Sequence, residues 1–162
     1  MIHTTINRLL QLFAPMLKKH LMLTLAVSTI LPVSAQFSTS AESLKRHVYT
    51  LAADSLLGRG FGTGQGLVAA RYIAGQFREA GIDPLEGDYF HPFSHRIGIL
   101  NIQGRNVVGV IPGGDPDLRE EYIVLGAHYD HLGWKVSDGD TVAYNGADDN
   151  ASGIASIIEI GR

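Results

Sequence analysis

A strand-forming run that ends on a histidine, and downstream of it a carboxylate-rich loop opening into a helix, together constrain what the second half of this chain can become. The run is Tyr122-Ile123-Val124-Leu125, and it follows a charged Arg119-Glu120-Glu121. Its β-branched and aromatic residues predict a buried strand. The run leads straight into Gly126-Ala127-His128-Tyr129-Asp130-His131-Leu132-Gly133. Side chains on a strand alternate faces, so His128 and Asp130 are expected to project the same way and Tyr129 the other. That suits a metal ligand with a supporting carboxylate, because a ligating imidazole usually gives its second N–H to a group that fixes its tautomer and orientation. His128 is the candidate ligand, and Asp130 the candidate support.

The downstream loop is Asn145-Gly146-Ala147-Asp148-Asp149-Asn150-Ala151-Ser152-Gly153, ahead of the apolar, helix-like run Ile154 to Ile160. Loop-to-helix junctions expose free backbone N–H groups. Asp148 or Asp149 taken alone therefore reads as an N-cap, worth about 1 kcal/mol. A lone His-x-Asp is equally ambiguous. The combination is specific, since it joins a histidine and carboxylates at a strand end to a second carboxylate-rich loop, with nitrogen and oxygen donors only.

In these two motifs the chain resembles the secreted di-zinc aminopeptidases of metallopeptidase family 28, whose relatives include glutamate carboxypeptidases and glutaminyl cyclases. The resemblance runs from about Ser43 to Arg162, and its specific part is His128-Tyr129-Asp130 followed by Gly146 to Gly153. It implies an α/β fold of three layers, α/β/α, with a mixed central sheet. It also implies His128 as ligand to one zinc, Asp149 as a bridge between two, Asp130 as the group orienting His128, and a cis peptide after Asp149. Asp148 and Asn150 flank the bridge without a ligand role. The implied activity is removal of N-terminal residues from peptides by a zinc-activated water, with two Zn2+ per complete catalytic domain and a nearby glutamate as general base.

In the family that glutamate, its neighbouring Glu ligand and further Asp and His ligands lie beyond the position matching Arg162. The resemblance thus implies a C-terminally incomplete, inactive domain, spanning 36–162 after a signal peptide at 1–35. Glu120-Glu121 imitates the family's paired glutamates but stands ahead of the histidine, so it reads as a solvated strand start. A glutaminyl-cyclase-like enzyme and a non-catalytic binding module of the same fold are the alternatives. Asp148-Asp149 together with His128-Tyr129-Asp130 favours the peptidase. No G-x-S-x-G elbow is present for serine chemistry.

The 162 residues are 45% hydrophobic and 18% charged, enough for one domain of moderate size. A net charge of −3 with no basic stripe argues against nucleic acid as a partner. Cysteine is absent, which excludes disulfides, thiolate zinc sites and a lipoprotein anchor. Lys18-Lys19-His20, the apolar stretch Leu21 to Val33, and Val33-Ser34-Ala35 before Gln36 form an export signal, with cleavage expected after Ala35. The apolar stretch falls short of the roughly twenty residues a bilayer span needs, so no stable membrane anchor is expected. A start at Met16 would give the signal a conventional length. The expected location is periplasmic or secreted.

Along the remaining chain, Phe37 to Ser40 reads as a flexible leader. Leu44, His47, Val48, Leu51 and Ala52 mark a first helix with Ser40 or Ser43 as cap. Leu57 to Gly66 is glycine-rich but has neither phosphate-loop spacing nor a preceding strand, and reads as a flexible turn; the resemblance implies that its Arg59 is structural or at a pocket edge. Ala69, Tyr72, Ile73, Gln76, Phe77 and Ala80 predict a second helix ended by Gly81. Ile82 to His95 reads as loop or edge strand, with His91 and His95 solvated rather than metal-binding. Ile97–Ile102 and Asn106–Ile111 read as a hairpin turning at Gln103-Gly104-Arg105, with Val107 to Ile111 as a buried central strand. Trp134 to Tyr144 reads as a polar loop.

Overall fold

The computed structural model describes residues 40–162. The export signal, its cleavage site, the Met16 start and residues 37–39 of the leader lie outside the described residues.

Helix α1, Ala41–Leu51, starts where Ser40 Oγ accepts the Ser43 N–H at 3.0 Å. Of the two serines proposed as cap, Ser40 serves. Ser43 Oγ instead donates to Glu159 at 2.7 Å. Helix α2, Gly64–Glu79, is capped by Thr63, whose Oγ1 accepts from the Gly66 N–H at 3.1 Å. It buries Ala69, Ala70, Ile73, Ala74 and Phe77, the stripe its spacing predicts. Just past its end Gly81 takes φ +74°, the left-handed geometry that glycine adopts cheaply. Helix α3, Ser152–Ile160, buries Ile154, Ala155 and Ile158. These join Leu51, Ile73 and Phe77 in one core. Each such aliphatic side chain contributes roughly 2 kcal/mol by leaving water.

The α/β mixture is present, with the strands forming three separate two-stranded antiparallel sheets among the described residues. β1 (Asp83–Pro84) pairs with β4 (Gly109–Val110), β2 (Phe90–Ile97) with β3 (Leu100–Val107), and β5 (Trp134–Ser137) with β6 (Asp140–Ala143). Several expectations are corrected here. The long hairpin is β2–β3, in register from Phe90↔Val107 to Ile97↔Leu100, and it turns at Gly98-Ile99 rather than at Gln103-Gly104-Arg105. Gly98 has φ +60°, as the first central residue of a tight hairpin turn requires. Gly104 lies inside a strand for a packing reason, since a Cβ there would stand 2.5 Å from the Phe61 ring and 2.7 Å from Phe93. Val107 to Ile111 is divided between β3 and β4 and is only half-buried at best.

Trp134 to Tyr144 is a hairpin, not a loop. Asp138 and Gly139 both take positive φ, +54° and +90°, matching an Asp-Gly turn of the primed type. Tyr122 to Leu125 pairs with no strand among the described residues, and Ile123 is 94% exposed. Its composition suits a sheet, but no ladder neighbour is there to satisfy its N–H and C=O groups, so the run stays extended and open. His91, expected to be solvated, has its Nε2 buried without a hydrogen-bond partner.

Candidate metal centre

The glycine-rich segment predicted to be a flexible turn is instead the platform under the site. Gly58, Arg59 and Gly60 are buried. The backbone of this segment is stitched to the first motif, because His131 N–H donates to the Arg59 carbonyl (3.3 Å) and Gly133 N–H to the Gly58 carbonyl (3.1 Å). Gly133 in turn accepts from the Tyr144 N–H at 2.9 Å. A side chain at Gly58 would run into the carbonyls of Gly133 and Tyr144, and its φ of +64° lies in the left-handed region. Glycine is therefore required there by close approach as well as by conformation. Asn145 is fixed from the other side, since its Nδ2 donates to the Ala52 carbonyl (2.7 Å) and to Asp54 (2.6 Å).

On this platform the two motifs meet. His128 Nε2 stands 3.0 Å from Asp149 Oδ1, though the two residues are far apart in sequence. His128 Nδ1 faces Asp130, at 3.0 Å from its carbonyl and 3.7 Å from its carboxylate. The support predicted for Asp130 is thus delivered mainly by its main chain. The alternation argument assumed a strand, and residues 122–130 form none, so the carboxylate does not reach Nδ1 as closely as a strand neighbour would. The Asp149–Asn150 peptide is cis. Neither Asp148 nor Asp149 caps α3; Asn150 Oδ1 accepts from the Gly153 N–H at 3.1 Å, which leaves the Asp149 carboxylate free for other partners.

His131, a motif residue with no role in the sequence reading, joins the site. Its Nδ1 lies 3.4 Å from Asp149 Oδ2, so the two carboxylate oxygens face two different imidazoles. Its ring is held close, because Gly146 leaves room where a Cβ would sit 2.7 Å from it. The sequence signal that could have found His131 is its i+3 offset from His128 just before a glycine turn, a pattern too common to single out. The described residues also frame an open cleft of about 1560 Å³, whose edge includes His128, Tyr129 and Asp130.

Zinc fits the chemistry of this donor pair. Two atoms bonded to one zinc at about 2.0–2.1 Å lie roughly 3 Å or a little more apart, which matches the His128–Asp149 separation. His128 also has the held second nitrogen typical of a ligating imidazole. Among the described residues no group of three or more His, Cys, Asp or Glu side chains is set to hold a metal ion, and two donors are one fewer than a catalytic zinc site normally takes from its protein.

An imidazole and a carboxylate converging beside a cleft, with nitrogen and oxygen donors alone, are the kind of groups a metal-dependent hydrolase uses. Residues 106–162, the segment that contains His128, Asp130 and Asp149, match the model of Peptidase family M28, so this part of the chain is similar to that metallopeptidase family. No curated protein and no solved structure gives a match to the chain.

Proposed function

We propose that the chain carries part of the catalytic centre of an exported, zinc-dependent aminopeptidase, in which His128 and Asp149 are metal ligands and Asp130 orients His128. The observation that supports this reading is the 3.0 Å approach of His128 Nε2 to Asp149 Oδ1, with the other His128 nitrogen held by Asp130. Nδ1–H donates to Asp130, which fixes the tautomer that leaves the Nε2 lone pair free. Asp149 offers one oxygen beside His128 and one beside His131, so its carboxylate can serve two neighbouring ions. Bound zinc would supply a water of lowered pKa and polarise the scissile carbonyl.

The complete domain in this reading is three-layered, with a sheet that includes Tyr122 to Leu125, and its substrate is a peptide with a free amino end. The test is zinc titration against a chromophoric chelator, paired with release of the first residue from an unblocked and an acetylated peptide by the full-length gene product. His128→Ala and Asp149→Asn should each weaken zinc binding at least tenfold, and activity should vanish with them and spare the acetylated peptide. Zinc binding that is indifferent to both substitutions overturns the assignment, and zinc binding without hydrolysis points to a binding module.

A further inference from the structure

We propose that Arg59 is a positioning residue for the metal centre, its guanidinium holding the two ligand-bearing segments against each other. The inference rests on the zinc reading above for its purpose, but its geometry stands alone. Arg59 is 0% exposed, the largest fully buried side chain among the described residues. Among those residues it forms no ion pair with a carboxylate, and every hydrogen bond it donates goes to a main-chain carbonyl.

Nε donates to Tyr129 at 2.7 Å, the residue between His128 and Asp130. Nη1 donates to Asn145 at 2.6 Å and Nη2 to Gly146 at 2.9 Å, just ahead of the loop that carries Asp149. Nη1 also reaches the Leu51 carbonyl at the end of α1. The Arg59 main-chain carbonyl accepts from His131 N–H, so one residue grips the first motif with both its backbone and its side chain.

Burying a cation is costly, and an apolar residue would fill a core position better. The planar fork is what a clamp needs, because its donors point in fixed directions toward separate acceptors. A lysine at the same place keeps the charge but has a single donor atom and cannot span three segments at once. The residue also sits at φ +48°, an uncommon conformation for a side chain of this size. The sequence reading of Arg59 as structural or at a pocket edge goes no further than that, since the partners are carbonyls and leave no mark in residue type.

The test compares Arg59→Lys with Ile73→Ala, a core cavity at a residue that makes none of the Arg59 hydrogen bonds, by amide hydrogen exchange on the metal-free protein and then by zinc titration. In Arg59→Lys, exchange across 127–131 and 144–150 should rise at least tenfold while α2 stays as protected as in the wild type, and zinc affinity should fall at least tenfold. Ile73→Ala should lower the melting temperature without singling out those two segments. If Arg59→Lys exchanges like the wild type there, or opens α2 equally, the proposal is overturned. Should Arg59→Lys not fold, the wild-type Arg59 Nε–H read by NMR decides. Exchange as slow as that of 127–131 supports the clamp, and fast exchange overturns it. Because exchange is measured without metal, a wild type that binds no zinc counts against the zinc reading and leaves this result intact.

Discussion

Asp149 divides its two oxygens between His128 and His131, and the small residues around it make that division possible. Gly146 is the most exposed to test. It has φ +58°, and a Cβ there would press on the His131 ring. Gly146→Ala should therefore cost at least about 1 kcal/mol from conformation alone, read as a lowered unfolding free energy in urea, and should weaken zinc binding as His131 is pushed from Asp149. Asp130→Asn is expected to be milder. The shorter contact to His128 comes from the Asp130 carbonyl, which the substitution keeps, so zinc affinity should drop about tenfold, the low end for loss of a supporting group. A loss far beyond a hundredfold would mean that the carboxylate itself is a ligand. The meeting of the two motifs was legible because their residue types suit a shared metal; the contact of His131 was not, and for Arg59 only a structural or pocket-edge place could be read, because a histidine at a turn and an arginine among glycines look ordinary until their partners are known.

Helices α1 and α3 are joined by a buried polar link. His47, fully buried, accepts from Tyr72 Oη at Nδ1 (2.7 Å) and donates from Nε2 to Glu159 Oε1 (3.0 Å), while Ser43 donates to the same oxygen and Arg162 stands 3.5 Å away. Burial holds the His47 imidazole below its ordinary value of 6.5, outweighing the opposing pull of Glu159. Burial alone would raise Glu159, but Ser43, His47 and Arg162 together bring it below 4.5. Both signs act alike. For a histidine lowered in the fold, the unfolded chain takes up protons first as pH drops below about 6.5, which removes stability; for a lowered glutamate the loss follows below about 4.5. The urea midpoint should therefore fall steadily from pH 7 to pH 4. His47→Ala should lower stability by about 3 kcal/mol at pH 7, since it strands a buried carboxylate, and should flatten the upper part of that profile.

The helices were legible from apolar stripes, with Ser40 at the start of α1 and Gly81 past the end of α2, all local signals, whereas the cap read at Asp148 or Asp149 is absent. The hairpins are harder to place from sequence, because Gly104 looks like a turn residue when Phe61 and Phe93 are what require it.

At the scale of the molecule, the described residues bury a helical core yet leave Tyr122, Ile123, Val124 and Leu125 between 55% and 94% exposed. An unpaired apolar run of this kind is a template for association with another chain. Light scattering should show concentration-dependent association, and Ile123→Lys with Leu125→Glu should suppress it while leaving the melting temperature within about 2 °C, as substitutions away from the core do. An unchanged association would place the sticky surface elsewhere. The strand was legible as a composition, whereas its pairing was not, because a ladder depends on neighbours that residue type cannot specify.

The Arg59 contacts also set an order of events during synthesis. Tyr129, Asn145 and Gly146 follow it by 70, 86 and 87 residues. At roughly 5–20 residues per second a growing chain needs on the order of ten seconds to deliver those carbonyls. Until they arrive the guanidinium has only Leu51 nearby in sequence, and it stays in water. Closing such long loops is entropically slow. The corner around Arg59 therefore sets late, and a nascent chain halted before Gly146 cannot finish its own interior.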